Sequence, residues 1–291
     1  MTLTPTTSLN EANAVLRSRL DQAGLPDSHH EARLLLCFCC ALETIDLIRS
    51  PERALGTHAT WLSDCLARRL SGEPITRIIG SRGFWTLDLL VEPNVLDPRA
   101  DSEVLIEAML EAFSARRMDA LKIVDLGTGS GALLCAALAE FPNATGLGLD
   151  RSIEACQSAI KNLARNGLDQ RGRIQQADWA SLSGPFDIIV SNPPYIPSQE
   201  IPNLDRAVRD FDPLAALDGG ADGLEPYRQI APLAATCLAP HGRLILEFGA
   251  TQANDVSAIL QQYGIEPLKT YKDLGGHNRA IVGRLAAEGV G

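Results

Sequence analysis

The chain has 291 residues, of which 45% are hydrophobic and 21% are charged. This apolar content is enough for a folded core, and the charged fraction is ordinary for a soluble protein. The formal net charge of −10 argues against nonspecific binding to a nucleic-acid backbone, which requires an excess of lysine and arginine. The length is compatible with one large domain or two ordinary ones.

Cysteine usage and hydropathy predict a cytoplasmic protein without a membrane span. The seven cysteines follow no disulfide spacing, and reduced thiols suit the cytosol. The cluster Cys37, Cys39 and Cys40 has no histidine at ligand spacing, so it predicts core packing rather than a metal site. Residues 1–10 lack an apolar signal core, and no run approaches the roughly 18 apolar residues of a spanning helix.

Residues 1–74 are predicted to form a helical domain. Ser8 is followed by Glu11, which is the pattern of a capping box at the start of a helix. A second helix is expected over 28–42. A further helix has apolar residues at helical spacing, namely Trp61, Leu62, Cys65, Leu66 and Leu70. Nothing in this region resembles a catalytic site.

Residues 75–97 are predicted to link this domain to the rest of the chain. Segments 77–80 and 84–89 have the character of two short strands, which predicts a β-hairpin. The helix expected over 102–113 follows, with Asp101 as its N-cap and Glu103 in its first turn. These roles leave Arg99 unexplained.

Residues 98–291 alternate between strands and helices, which predicts a doubly wound, mainly parallel sheet of the α/β class. Four buried strands are expected before residue 192. A fifth strand is expected over 242–248, and an antiparallel pair over 267–271 and 279–284. Together they predict a seven-stranded sheet.

A glycine-rich turn follows the first of these strands. The glycines at 127, 129 and 131 follow the pattern Gly-x-Gly-x-Gly, whereas a dinucleotide fold uses Gly-x-Gly-x-x-Gly with a pyrophosphate at the helix N-terminus. This difference favours S-adenosylmethionine, with Asp150 after the next strand accepting hydrogen bonds from the ribose. Trp179 either lies near the adenine ring or packs at a strand end, and Asp178 is a weaker candidate for the adenine amino group.

Residues 192–195, Asn-Pro-Pro-Tyr, follow the fourth strand, where open α/β sheets place their ligands. The prolines hold Asn192 extended and remove two N–H donors. The result is a stiff loop that is rich in hydrogen-bond acceptors, with Tyr195 adding an aromatic face. Such a loop suits a planar –NH2 group, although a simple proline-rich turn is the alternative.

Residues 125–131, 178–179 and 192–195, together with Asp150, resemble the class I S-adenosylmethionine-dependent methyltransferases that act on a planar amide or amino nitrogen. Segments 98–103 and 208–217 narrow the resemblance to the release factor glutamine methyltransferases, the HemK/PrmC family. The resemblance covers nearly the whole chain. It implies a Rossmann-like fold and methylation of the side-chain amide nitrogen (N5) of the glutamine in the Gly-Gly-Gln motif of bacterial peptide chain release factors.

The family's functional residues can be placed on this sequence by motif. The resemblance implies that Asn192, Pro193, Pro194 and Tyr195 line the glutamine site, with Asn192, Pro193 and Tyr195 as the catalytic residues. We expect the Asn192 side-chain oxygen and the Pro193 carbonyl to accept the two amide hydrogens and so aim the nitrogen at the methyl carbon. The implied cofactor site comprises Gly127, Thr128, Gly129, Ser130, Gly131, Asp150, Trp179 and Asn192.

Two positions depart from the family pattern. The family usually has proline where Ala100 stands and glutamate where Asp212 stands. The first change loosens a loop. The second shortens a carboxylate by one methylene, which puts any part of that carboxylate in substrate docking in doubt.

Other functions remain open at this point. A sister family methylates a glutamine of a ribosomal protein, and adenine-N6 methyltransferases act on a similar planar amino group in nucleic acids. A non-catalytic module that binds S-adenosylmethionine and a protein is a third alternative. Net acidity argues against the nucleic-acid substrate, and the resemblance favours a monomer whose helical domain docks the release factor.

Overall fold

A computed structural model describes residues 2–287. It divides the chain into two units, Met1–Gly80 and Ser81–Gly291. Within the described residues, no helix is long and apolar enough to cross a lipid bilayer.

The first unit consists of helices around one apolar core. The predicted capping box is present, because the Ser8 hydroxyl accepts a hydrogen bond from the Glu11 amide and the Glu11 carboxylate accepts one from the Ser8 amide. Cys39 and Cys40 are buried among leucines, as predicted for packing residues. The helices are α1 (Leu9–Gln22), α2 (Ser28–Cys40), α3 (Thr44–Arg49), α4 (His58–Leu70) and α5 (Ile75–Ile79).

The strand predicted over 77–80 is wrong, because this stretch forms most of α5. Ile75 and Ile78 are three residues apart and therefore share a helical face, and both pack on the core of the first unit. Gly80 ends the helix with a left-handed φ of 76°, a conformation that glycine adopts without steric cost. Burial at helical spacing thus overrides the strand preference of the β-branched residues.

The second unit contains a hairpin and an α/β sheet. The hairpin was predicted, but its strands were not, because its turn at Trp85 and Thr86 lies inside the segment 84–89 that was expected to be one strand. The hairpin strands are β1 (Ser81–Phe84) and β2 (Leu87–Leu90). The following elements are α6 (Glu103–Ala112), β3 (Lys122–Leu126), α7 (Ala132–Glu140), β4 (Thr145–Asp150), α8 (Ile153–Arg165), β5 (Gly172–Gln176), β6 (Phe186–Ser191), α9 (Arg206–Arg209), α10 (Glu225–Cys237), β7 (Leu238–Glu247), α11 (Ala253–Gln262), β8 (Ile265–Lys272) and β9 (Asn278–Leu285).

The seven-stranded sheet has the strand order β5-β4-β3-β6-β7-β9-β8. The first five strands in this order pair in parallel, while β9 pairs antiparallel with both β7 and β8. The predicted doubly wound, mainly parallel sheet is therefore confirmed. Helices cover both faces, which explains why the central strands β3 and β6 are mostly apolar and buried.

Side chains of the central strands alternate between two cores. Ile123 and Ile188 face the core built with α6, α7 and α8. Val124 and Ile189 face the core built with α10 and α11. This alternation is the period of two expected of a pleated strand, and burial on both sides leaves the strand ends as the places where polar groups meet a ligand.

The expected N-cap of α6 is also wrong. A 3-10 turn, Ala100–Ser102, precedes the helix, and the Asp101 side chain makes no capping hydrogen bond there. Asp101 instead faces Arg279 at 3.8 Å. Ser102 occupies the cap position, but its side chain makes no capping bond, and its hydroxyl accepts a hydrogen bond from the Asn192 side-chain amide.

Candidate active site

A cavity of about 590 Å³ lies in the second unit, at the carboxyl ends of the parallel strands. Each of the four strands β3 to β6 contributes one wall residue at its carboxyl end. Gly127 follows β3, Asp150 ends β4, Ala177 follows β5 and Asn192 follows β6. This is the edge at which doubly wound sheets bind ligands. Of the residues predicted from the sequence, the cavity wall includes Gly127, Gly129, Asp150, Trp179, Asn192 and Pro194.

The glycine turn, residues 127–131, combines two different uses of glycine. Its three glycines have φ values of 73°, 55° and 79°, all in the left-handed region. A Cβ on Gly127 would lie 3.4 Å from the Trp179 ring, so this position brings the backbone close to the indole. A Cβ on Gly131 would lie 3.0 Å from the Ala159 Cβ, so the last glycine allows close packing between helices rather than lining the cavity.

Asp125 supports the glycine turn from its buried side. It is buried, and its Oδ2 accepts a hydrogen bond of 2.7 Å from the Thr128 hydroxyl. Burial raises the pKa of Asp125 to about 7, and the Thr128 hydrogen bond opposes this shift. Thr128 and Ser130 are themselves buried, so they shape the turn instead of presenting their side chains to the cavity.

Asp150 is held by two backbone amides. Its Oδ2 accepts from the Gly129 N–H and its Oδ1 from the Ser152 N–H, each at 2.9 Å. Every carboxylate oxygen has a second lone pair. The side chain therefore lies in a fixed orientation on the cavity wall with acceptor capacity left for ligand hydroxyls.

The position of Trp179 allows either of the roles that the sequence left open, and a contact with an adenine ring stays a prediction. Its ring lines the cavity beside Gly127 and also packs on the core next to α10 and α11. Asp178 lies on the same wall, and its Oδ1 accepts from the Ala180 amide at 2.9 Å. The indole thus forms a flat apolar surface between the glycine turn and the end of β5.

The charge of the cavity wall is predominantly negative. Its side chains include five carboxylates and one arginine, Arg151. A wall of this kind favours a cationic ligand and disfavours a pyrophosphate, which requires basic groups or a free helix N-terminus. The carboxylates are Asp150, Glu154, Asp178, Asp218 and Glu225.

The Asn192 carboxamide is oriented by a residue distant in sequence. Its Nδ2 donates a hydrogen bond of 2.9 Å to the Ser102 hydroxyl. Because the amide group is planar, this bond turns Oδ1 away from Ser102. Among the described residues, no donor bonds to Oδ1, so this acceptor remains for a ligand at the cavity wall.

Tyr195 and Pro193 do not line the cavity. Pro193 is buried, and Tyr195 packs on the core with its hydroxyl donating to Glu247 Oε1 at 3.3 Å. Burial raises the pKa of Tyr195, and the nearby Glu247 carboxylate raises it further. The phenol is therefore neutral at ordinary pH. Whether Tyr195 and Pro193 contact a substrate stays a prediction.

The acceptor loop, residues 192–195, is held by a neighbouring segment. Ile196 forms a parallel bridge with Asp218, its amide donating to Leu217 O at 3.1 Å and its carbonyl accepting from Gly219 N at 2.9 Å. Gln252 adds a side-chain bond of 3.0 Å to Tyr195 O. These bonds fix the loop beyond what its two prolines provide.

Arg99 and Asp212 form an ion pair that the sequence did not predict. Asp212 is buried, and Pro213 beside it lines the cavity. The pair therefore joins the segment before α6 to the segment that forms one cavity wall. This contact gives Arg99 a structural role, with Asp212 as its partner.

The sequence did not identify three polar residues as part of the site, namely Ser102, Glu247 and Gln252. All three are buried and contact the acceptor loop through side-chain hydrogen bonds. A carboxylate at the end of the apolar strand β7 was the one available signal, because charged groups are rarely buried without a partner. The two others carry no pattern that distinguishes them from surface polar residues.

We predict that Gly223→Ala loosens the acceptor loop, whereas Gly264→Ala does not. Both glycines have left-handed φ values, so each alanine costs about 1–2 kcal/mol in the free energy of unfolding. A Cβ on Gly223 would lie 2.3 Å from Tyr195 O, while no atom of the described part of the chain lies within 4 Å of one on Gly264. Hydrogen exchange should accelerate at the amides of Ile196 and Ser198 only in the first variant. Equal protection in both variants would contradict this account of the loop.

Models of two protein families match the chain. The PrmC N-terminal domain matches residues 11–80, and the methyltransferase small domain matches residues 97–207. Among solved structures, a methyltransferase from Pyrococcus furiosus is 19% identical with a TM-score of 0.51, and the match covers 77% of this chain and 99% of that one. This likeness concerns the fold, which is that of a class I methyltransferase.

Curated relatives match over almost the whole chain. The release factor glutamine methyltransferase of Rhodospirillum rubrum is 44% identical, and the match covers 93% of this chain and 83% of the relative. The protein of the same name from Agrobacterium fabrum is 43% identical, with 92% and 94% covered. Identity of this extent over both units shows that the chain belongs to the release factor glutamine methyltransferase family.

Proposed function

We propose that the protein transfers a methyl group from S-adenosyl-L-methionine to the N5 amide nitrogen of the glutamine in the Gly-Gly-Gln motif of bacterial peptide chain release factors. The observation that carries the proposal is Asn192, a residue of the cavity wall whose carboxamide is anchored through Nδ2 on Ser102 and keeps Oδ1 as an acceptor. The names of the relatives support the choice of substrate.

The cavity fits S-adenosylmethionine by its chemistry. This ligand carries a positively charged sulfonium, and the wall offers five carboxylates against one arginine. In our proposal Asp150 accepts from the ribose hydroxyls, and Trp179 lies against the adenine. Gly127 and Gly129 have no side chain and adopt positive φ without steric cost, so the turn stays open where the ligand approaches. Thr128, Ser130 and Gly131 support the turn from its buried side.

The catalytic task is one of alignment. An amide nitrogen is a weak nucleophile because its lone pair is delocalised into the carbonyl, whereas the bound sulfonium supplies an already activated methyl group. Asn192 Oδ1 and the Pro193 carbonyl accept the two amide hydrogens in our proposal, and no described residue bonds to that carbonyl. Two fixed acceptors aim the nitrogen and stabilise the positive charge that grows on it during transfer.

No general base is assigned to the reaction. The amide proton can leave after methyl transfer, when the nitrogen has become acidic. Tyr195 is unsuited to act as a base, because burial and Glu247 raise the pKa of its phenol. Its proposed contribution is to hold the loop, through the hydrogen bond to Glu247 and the bond from Gln252 to its carbonyl.

We further propose that residues 1–74 dock the protein substrate, that 75–97 link them to the catalytic part at 98–291, and that the enzyme acts as a cytoplasmic monomer. The match of residues 11–80 to the PrmC N-terminal domain, which is separate from the match to the methyltransferase small domain, supports the docking role. A ribosomal-protein glutamine and an adenine amino group are the competing acceptors. The net charge of −10 disfavours the nucleic acid.

One labelling experiment separates these acceptors. The enzyme and a radiolabelled methyl donor are offered to release factors, ribosomal proteins and nucleic acids, and the labelled atom is located by mass spectrometry. We expect label on the Gly-Gly-Gln glutamine and none on a release factor in which this glutamine is replaced by glutamate. Label confined to ribosomal protein or nucleic acid would refute the proposed substrate.

Asn192→Ala should nearly abolish turnover with only a modest loss of donor affinity. Loss of one preorganised polar contact lowers kcat on the order of 100-fold to 1,000-fold, which kinetics with a release factor would measure. Gln229→Ala is the matched control, since it removes an exposed amide from the same cavity wall. If the Asn192 variant keeps the rate of this control, the alignment mechanism is wrong.

Asp150→Ala should weaken donor binding by roughly 10-fold to 100-fold, because a charge-assisted hydrogen bond is worth about 1.5–3 kcal/mol. Isothermal titration calorimetry with the donor gives the dissociation constant. Glu154→Ala serves as the control, because it removes an exposed carboxylate from the same wall. An unchanged dissociation constant in the Asp150 variant would remove this residue from the ribose site.

A further inference from the structure

Two buried polar side chains lie behind Asn192, away from the cavity wall. Ser102 is 4% exposed and Glu247 is 1% exposed. The pairing of Ser191 with Leu246 places Asn192 and Glu247 next to each other, just past Ser191 and Leu246 on β6 and β7. The turn that begins α6 brings Ser102 against both.

The number of available protons limits which of Asn192, Ser102 and Glu247 can donate a hydrogen bond and which can accept one. A serine hydroxyl has one proton to donate. Ser102 Oγ accepts from Asn192 Nδ2 at 2.9 Å, so its own proton is available for Glu247. Glu247 Oε1 accepts from the Tyr195 hydroxyl at 3.3 Å, and the buried Oε2 has no hydrogen-bond partner of standard geometry among residues 2–287. An ionised Glu247 therefore attracts the Ser102 proton.

We propose that Ser102 and Glu247 are positioning residues that determine which end of the Asn192 carboxamide faces the substrate. While Glu247 is ionised, it holds the Ser102 proton, and Ser102 can only accept from Asn192. Nδ2 must then point to Ser102 and Oδ1 to the cavity. This inference rests on the proposed function, because Oδ1 is the atom that receives the substrate amide hydrogen.

Protonation of Glu247 would remove this constraint. A protonated carboxyl can donate to Ser102, which frees the Ser102 proton to turn toward Asn192. The carboxamide can then flip so that Nδ2 faces the cavity. Two amide –NH2 groups would oppose each other there, and neither could accept from the other. The active orientation therefore requires the carboxylate form.

The surroundings of Glu247 place this change near neutral pH. Burial raises its pKa to about 7, above the ordinary carboxyl value, so the carboxylate form is lost as the pH falls through that region. Tyr227 donates to the backbone carbonyl of Glu247 at 2.9 Å. The side-chain groups that oppose the shift are Ser102, Arg279 and Tyr195, and the one that adds to it is Asp101.

The experiment compares Glu247→Gln, Ser102→Ala and Ser102→Thr with the wild type. With saturating donor, kcat of the wild type should rise with pH through a midpoint near 7, and Glu247→Gln should lack this rise. Ser102→Ala should lower kcat at least about tenfold, and Ser102→Thr, which keeps the hydroxyl, should recover most of the rate. The donor dissociation constant should stay within about threefold in every variant, which also reports on folding.

A second readout is independent of the acceptor substrate. In protein labelled with 15N-asparagine, the Asn192 side-chain –NH2 signals, identified by their loss in Asn192→Ala, should shift with pH at the midpoint of the rate profile. They should not shift in Glu247→Gln. This result would support the positioning role even if the release factor were the wrong substrate.

Three outcomes would overturn the proposal. The rise of kcat with pH could persist in Glu247→Gln. This would assign the rise to another buried group such as Asp125, whose pKa is also raised to about 7. Ser102→Ala could be as active as wild type. The Asn192 signals could titrate identically in wild type and Glu247→Gln, which would leave Glu247 as a packing residue only.

Discussion

Parallel pairing of β3 with β6 is the constraint on which the site depends. Asp125 pairs with Val190, and the Ser191 hydroxyl donates to Leu126 O at 2.6 Å across 65 residues of sequence. β4 and β5 lie on one side of this pair and β7 on the other. The chain reverses its direction of winding there, so the glycine turn and the acceptor loop emerge side by side at the crevice.

Rigidity of the acceptor loop comes from several weak contacts acting together. The two prolines restrict φ, the bridge between Ile196 and Asp218 adds backbone bonds, and Gln252 bonds to the Tyr195 carbonyl. The ion pair of Arg99 with Asp212 joins the segment before α6 to the cavity-wall segment that contains Pro213. Acceptors fixed before the substrate arrives lose little entropy on binding, which is what a reaction limited by alignment requires.

The errors of sequence interpretation have one physical origin. The strand expected over 77–80 relied on local propensity, which the burial of Ile75 and Ile78 on a helical face outweighs. The cap expected of Asp101 relied on local hydrogen bonding, yet the 3-10 turn leads Asp101 toward Arg279 and leaves Ser102 to Asn192. In both cases a contact distant in sequence outweighed the local preference.

The amino-acid sequence by itself determined the sheet class, the glycine turn, the position of Asp150 and the acceptor loop, because apolar periodicity, glycine and proline act through local backbone geometry. Tertiary structure alone decided which side chains support that loop. Ser102 and Glu247 lie 90 and 55 residues from Asn192 along the chain. The register of β6 and β7 brings Glu247 beside Asn192, and the turn that begins α6 brings Ser102 there. A hydrogen bond between such residues leaves no periodic signal, since its partners are chosen by the fold.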